Sequence, residues 1–171
     1  MSSSEFEDSY DSDEPEPNAF AEVFQTPLSR LSLRTPLVVE ASVTVAEAIS
    51  AMNEHRTGCV LVGNQGKLAG IFTERDVLRR AATNNDSRTV SVGSVMTADP
   101  ETLKPDQSIA FALNHMSVGG YRHIPIVDSS GRPIAVVSVR DIVDFLVDLF
   151  PADVLNLPPS SGVCTGSVDG G

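Results

Sequence analysis

The stretch Gly70-Ile71-Phe72-Thr73-Glu74-Arg75-Asp76-Val77-Leu78 returns near the other end of the chain as Ala135-Val136-Val137-Ser138-Val139-Arg140-Asp141-Ile142-Val143. Each copy runs from an apolar strand into a hydroxyl residue, meets an acid three positions later and passes into an apolar helical pattern. Such internal repetition decides the architecture before any single residue does. A shift of 64 places Pro36 on Pro100, Ala46 on Ala110, Ala48 on Ala112, Met52 on Met116 and Val60 on Ile124. One extra residue in the second copy's turn makes the shift 65, which puts Gly66 on Gly131, Arg75 on Arg140 and Asp76 on Asp141. The units therefore run from Leu28 to Thr83 and from Ser91 to Phe150, with a polar linker at 84–90. They are too long for a stacked solenoid repeat of the usual periods, so two small related domains are expected.

Within a unit the patterning predicts β-α-β-β-α. Thr35 to Val39 reads as a short strand introduced by proline, acceptable at a strand's start. Ser42 or Thr44 caps a helix to about His55, with Val45, Ala48, Ile49 and Met52 at helical spacing on one face. Cys59-Val60-Leu61-Val62 is continuously apolar, as a strand covered on both faces should be. Gly63 to Gly66 is a hairpin connection, Leu68 to Phe72 the returning strand, and Thr73 starts the second helix. The second unit repeats the order: Thr102-Leu103, a helix from Ser108 to Ser117, strands at Arg122–Val127 and Pro133–Val137, and a helix from Ser138 to Phe150. The prediction is an α+β fold with helices on one face of a three-stranded sheet. Two such pseudo-symmetric units packed into one module bury the apolar surface that one alone would expose.

Charge is unevenly spread. The formal net charge is −11, but residues 1–24 hold eight carboxylates and neither Lys nor Arg, which leaves about −3 for the rest. A leader rich in Ser, Asp, Glu and Pro cannot offset its ordering entropy, so 1–24 is expected to be disordered and dispensable for stability. Residues 151–171 read as a loose C-terminal tail whose Val154, Leu155 and Leu157 either cover the module or dock a partner. The acidic balance opposes nucleic-acid binding, which needs a basic surface. No apolar run is long enough to span a bilayer, and an acidic N-terminus without an apolar h-region is not expected to act as a secretory signal. Cys59 and Cys164 form neither a disulfide framework nor a metal spacing, a pattern that suits a reducing cytoplasm. His55, His115 and His123 share no metal-ligand spacing.

With these residues in view, the chain resembles the tandem CBS-domain family (cystathionine β-synthase-type repeats). The resemblance rests on Gly-Ile-Phe-Thr-Glu-Arg-Asp at 70–76, Val-Met-Thr at 95–97, Arg-His-Ile-Pro-Ile-Val-Asp at 122–128 and Ser-Val-Arg-Asp at 138–141, and it covers residues 28 to 150. It implies a regulatory, non-catalytic module with paired clefts for an adenine nucleotide (AMP, ADP or ATP) or S-adenosylmethionine. It further implies that Asp76 and Asp141 hold ribose hydroxyls, that Thr73 and Ser138 contact ribose or phosphate, and that Arg122 and His123 meet phosphate. A flat homodimer and a separate effector protein are expected on the same ground. The alternatives are a dimerisation scaffold without ligand and, less favoured by the residues, a small enzyme.

Two readings of the junction residues stand side by side. A helix start favours an anion, a carboxylate there accepts bonds from a vicinal diol, and Arg75 or Arg140 can fork onto phosphate oxygens. Yet Thr73-x-x-Asp76 and Ser138-x-x-Asp141 also have capping-box spacing, in which the acid reaches back to the cap's own N–H. Only the second copy opens its middle strand with Arg122-His123; the first has Gly58-Cys59 there. On that difference the tighter site is expected at Ser138, Arg140 and Asp141. His123 has the alternative of a partly buried strand residue, and Arg75 and Arg140 that of solvated helix-start arginines.

Overall fold

A computed structural model of the chain describes residues 19–81 and 88–150. Most of the expected leader, the middle of the linker and the whole tail at 151–171 lie outside the described residues. The chain opens on helix α1 (Ala19–Phe24) and a 3-10 turn at Leu28–Arg30. The first unit follows as β1 (Val38–Glu40), α2 (Val45–Glu54), β2 (Cys59–Asn64), β3 (Lys67–Thr73) and α3 (Glu74–Asp76), which widens into a π turn over Val77–Ala81. The second comprises α4 (Val92–Val95), β4 (Thr97–Ala98), α5 (Ile109–Gly119), β5 (His123–Val127), β6 (Pro133–Ser138) and α6 (Val139–Leu149).

Local chemistry fixes most of these boundaries. Thr44 accepts from the N–H of Glu47 while the Glu47 carboxylate takes the Thr44 N–H at 2.9 Å, so α2 begins on a complete capping box. Ser108 caps α5 by accepting from Phe111, and Gly120, at φ 66°, ends it in the left-handed conformation that glycine adopts without steric cost. Residues Cys59 to Gly63 are all buried, as the apolar run requires. β2 and β3 pair antiparallel with a register shift between Val62 and Gly63, and β5 and β6 repeat that shift 64 residues on, between Ile126 and Val127. The parallel partner β1 of the first unit shrinks in the second to one bridge, Leu103 with Ile126.

The sheet of the first unit has four strands, not the expected three, in the order β1-β2-β3-β4. The fourth belongs to the opening of the second unit: Ala98 pairs with Gly70 and Thr97 with Ile71. Gly70 permits this approach, since a Cβ there would stand 2.9 Å from the Thr97 carbonyl oxygen. The cores are exchanged in the same way. Leu28 and Leu31 pack with Leu103, Ile109, Ile124 and Ile142 of the second unit. Val92 and Val95, 64 residues later, pack with Val45, Ala48, Val60 and Phe72 of the first. The backbone follows suit: Leu28 N donates to Gln107 O at 2.8 Å, and Val92 N to Val43 O at 2.7 Å. Between the sheets, Cys59, Leu61 and Ile71 form a small third cluster that Val136 joins from the second unit.

The expected disordered leader over 1–24 is therefore corrected at its end. Ala19–Phe24 is helical, and Phe24 packs on the second unit's core, because the chain must reach that core to deliver Leu28. A truncation through Phe24 removes packing. Among the described residues no helix is long and apolar enough to cross a membrane, and no three His, Cys, Asp or Glu side chains gather as a metal site.

Candidate functional site

At the β3–α3 junction Thr73 caps the helix start. Its N–H donates to Asp76 Oδ2 at 2.9 Å and its hydroxyl to the same oxygen at 2.7 Å, while Asp76 N donates back at 3.4 Å. The β6–α6 junction repeats the arrangement: Ser138 N and Oγ donate to Asp141 Oδ2 at 2.7 and 2.6 Å. Both acids thus serve as capping-box partners, the structural role that the spacing offered. They differ in setting, since Asp76 is 8% exposed and is the single buried charged residue among those described, whereas Asp141 is half-buried.

A cavity of about 410 Å³ opens beside Asp76. That volume lies within the range of small-molecule sites, roughly 300–1,000 Å³. Its walls come from both units. Thr73, Glu74, Arg75, Asp76 and Arg79 line it from the first, and Gly119, Gly120, Tyr121, Arg122 and His123 from the second. The floor includes Ile71, and Thr97, Asp99, Pro100 and Glu101 close it from the exchanged strand β4 and the loop behind it. Arg122 and His123 were expected beside Ser138, Arg140 and Asp141; His123 does pair with Ser138 across β5 and β6, but the cavity groups Arg122 and His123 with Thr73, Arg75 and Asp76. Ser138, Arg140 and Asp141 do not line it. The reason is the pseudo-two-fold packing, which brings the openings of β2 and β5 together. A Cβ on Gly58 would lie 3.3 Å from the His123 ring, so only the small residue opening one strand admits the large one opening the other.

Electrostatics follow from this crowding. Burial, helped by the Arg122 charge, lowers the pKa of His123 below the usual imidazole value, although Glu74 and Asp141 pull the other way. Burial raises the Tyr121 phenol, with Glu101 adding to the effect. Three guanidiniums, Arg75, Arg79 and Arg122, face four carboxylates, Glu74, Asp76, Asp99 and Glu101. The lining is mixed in sign, not a basic pit. Arg75 is engaged across the cavity: its Nη1 donates to the Gly120 carbonyl oxygen at 2.5 Å. Arg140, its counterpart, lies 83% exposed against Asp144 of its own helix, at 3.6 Å.

Sequence reasoning missed Glu74, Arg79, Tyr121 and the 97–101 wall. Arg79 had a signal, three residues beyond Asp76 and so on the same helical face. The π turn that carries it is a distortion frequent at functional sites. The 97–101 wall had none, because it depends on the exchange of opening segments between units.

The CBS domain pattern matches residues 28–83 and 92–148, and the chain belongs to the CBS domain family, as a tandem pair. It is similar to an uncharacterised 17.7 kDa protein of Acidianus ambivalens, 37% identical over 125 residues that cover 72% of this chain and 75% of that one. It is also similar to a CBS domain-containing protein of Arabidopsis thaliana, 36% identical over 132 residues, where the match spans 72% of this chain and 24% of the plant protein. Among solved structures, a CBS domain protein of Pyrobaculum aerophilum complexed with AMP superposes with a TM-score of 0.65, covering 74% of this chain and 100% of that one at 23% identity. A likeness at that identity speaks for the fold.

Proposed function

We propose that the chain is a regulatory module that binds an adenine nucleotide in the cavity between its two repeats and passes the bound state to a separate effector protein. The observation that carries this reading is the convergence of Thr73 and Asp76 from one repeat with Arg122 and His123 from the other on a single hollow. A carboxylate accepts from a ribose diol, and guanidinium and imidazole donors suit a phosphate. The AMP complex of the Pyrobaculum relative supports an adenine ligand. The mixed charge of the lining favours one phosphate over three, so AMP should bind more tightly than ADP or ATP. In this reading Asp141 acts through its capping box, and ligand binding falls to Asp76.

Calorimetry with AMP, ADP, ATP and S-adenosylmethionine tests the proposal, with melting shifts as a check, since a ligand of the folded state stabilises it by mass action. Asp76→Asn should weaken AMP binding by about 1–3 kcal/mol through loss of a charge-assisted bond, whereas Asp141→Asn should leave affinity unchanged and lower the melting point alone. Equal losses in both variants would refute the assignment of the site. Absence of heat from all four ligands would leave a scaffold role.

A homodimer belongs to the same proposal. Phe111 and Val118 on α5 and Val143 and Leu149 on α6 are exposed apolar side chains on neighbouring helices. A two-fold pairing would cover them isologously. A monomeric mass by light scattering at micromolar protein would refute it.

A further inference from the structure

The guanidinium of Arg75 bridges the repeats. It springs from α3 of the first and donates to Gly120 O, the left-handed residue that ends α5 of the second. Both residues line the cavity, so this bond is part of its wall. Symmetry does not require it, because Arg140 is paired within its own helix and the position matching Gly120 is Arg56. The bond is therefore particular to this one cleft. Its acceptor is a neutral carbonyl oxygen, and a guanidinium binds a phosphate or carboxylate oxygen about twice as strongly, often through two parallel bonds. An anionic group entering the cavity competes for Arg75 on favourable terms.

We propose that Arg75 exchanges the Gly120 carbonyl for the anionic group of the bound ligand, and that this exchange unfastens the end of α5 from the first repeat. The inference rests on the nucleotide reading above and adds what the module responds to: the charged group of the ligand, not its nucleoside. Two further features make α5 suited to report the change. Gly119 ends it and Gly120 follows in the left-handed conformation, two residues whose backbone carries no Cβ to limit its dihedrals. Its outward residues Phe111 and Val118, 41% and 82% exposed, would move with it and are open to a protein partner.

Hydrogen exchange on the full chain tests the exchange of partners, comparing AMP with adenosine, which lacks the phosphate. The peptide to follow is 112–118, which does not line the cavity and so reports α5 without direct shielding by ligand. With wild-type protein the AMP complex should exchange about fivefold faster there than the adenosine complex, the factor expected for one hydrogen bond lost. Arg75→Gln alone should show the same acceleration without ligand, and its AMP and adenosine complexes should match each other. Indistinguishable AMP and adenosine complexes of the wild-type protein would overturn the proposal. So would an Arg75→Gln protein that exchanges at the wild-type rate without ligand. If calorimetry detects neither ligand, the nucleotide reading fails and takes the ligand-driven exchange with it. The ligand-free comparison would still decide whether Arg75 fastens α5.

Discussion

Replacing Leu28 by alanine should destabilise a repeat to which Leu28 does not belong in sequence. The side chain is fully buried among Leu103, Ile109, Ile124 and Ile142, and it sits on a short turn tied to the second repeat through Gln107 and Pro105. Leucine-to-alanine changes in cores cost about 2.7–5 kcal/mol, depending on how far the site collapses. A single 3-10 turn near the start of the chain settles more readily than a packed helix, so about 3 kcal/mol is expected, toward the low end of that range. Against a total of roughly 5–15 kcal/mol for a domain, that is a large fraction. At roughly 2–4 °C per kcal/mol for a chain this size, the melting point should fall by about 6–12 °C. Urea unfolding followed by circular dichroism gives the free energy, and calorimetry shows whether the transition stays single. Because each repeat lends two core residues to the other, the variant should melt in one cooperative step shifted as a whole. A loss below about 0.5 kcal/mol, the usual scatter for surface changes, would refute the exchange of cores. So would two resolved transitions of which one keeps its wild-type position.

Other expectations follow from single positions. Arg56 holds φ 48° where the second repeat has Gly120, so Arg56→Gly should raise stability by about 0.5 kcal/mol, strain relief exceeding the added chain entropy, as read by urea titration. Burial lowers the pKa of His123, so the unfolded chain takes up its proton first. The stability that this neutral imidazole contributes is complete above the unfolded value of about 6.5 and is lost as pH falls below it. Melting curves between pH 7.5 and 5 should therefore drop less for His123→Gln than for wild type, and parallel curves would refute this. Burial pushes the Cys59 thiol up to about 11. In a Cys164→Ser background the native protein should resist a thiol-specific disulfide reagent at pH 8 and react stoichiometrically in urea, because the thiolate is the nucleophile.

The two repeats were legible because their signals are local. A hydroxyl residue followed three places later by an acid announces a helix start in any context, and both junctions form complete capping boxes. The apolar run at 59–62 similarly marked β2 as covered on both faces. What escaped the sequence is whatever one repeat does for the other. Leu28 and Leu31 resemble part of a connector, and nothing near them specifies a core 75 residues away at Leu103. The same long-range exchange brings Thr97 to Glu101 against the first sheet. The β2–β5 contact carries Arg122 and His123 toward Asp76, although His123 pairs with Ser138 in the strand ladder. Local grouping pointed to Asp141, whereas the cavity lined by Arg122 and His123 takes its acid from the other repeat, at Asp76.

The exchanged openings also carry a statement about origin. Every contact by which residues 27–31 grip the second repeat has a counterpart 64 residues on: the bridge of Pro27 with Ser108 answers that of Ser91 with Thr44, and Leu28 N with Gln107 O answers Val92 N with Val43 O. A chain of half this length, holding one repeat and its opening segment, would satisfy the same contacts by lending that segment to a second copy. It would close as a two-fold dimer. Fusing two such genes end to end needs no new interface, only a linker long enough to join one copy's last helix to the next copy's opening. The cleft between repeats then begins as a subunit boundary. Once both halves lie on one chain its two sides are free to differ, and here one side carries Gly58-Cys59 where the other carries Arg122-His123.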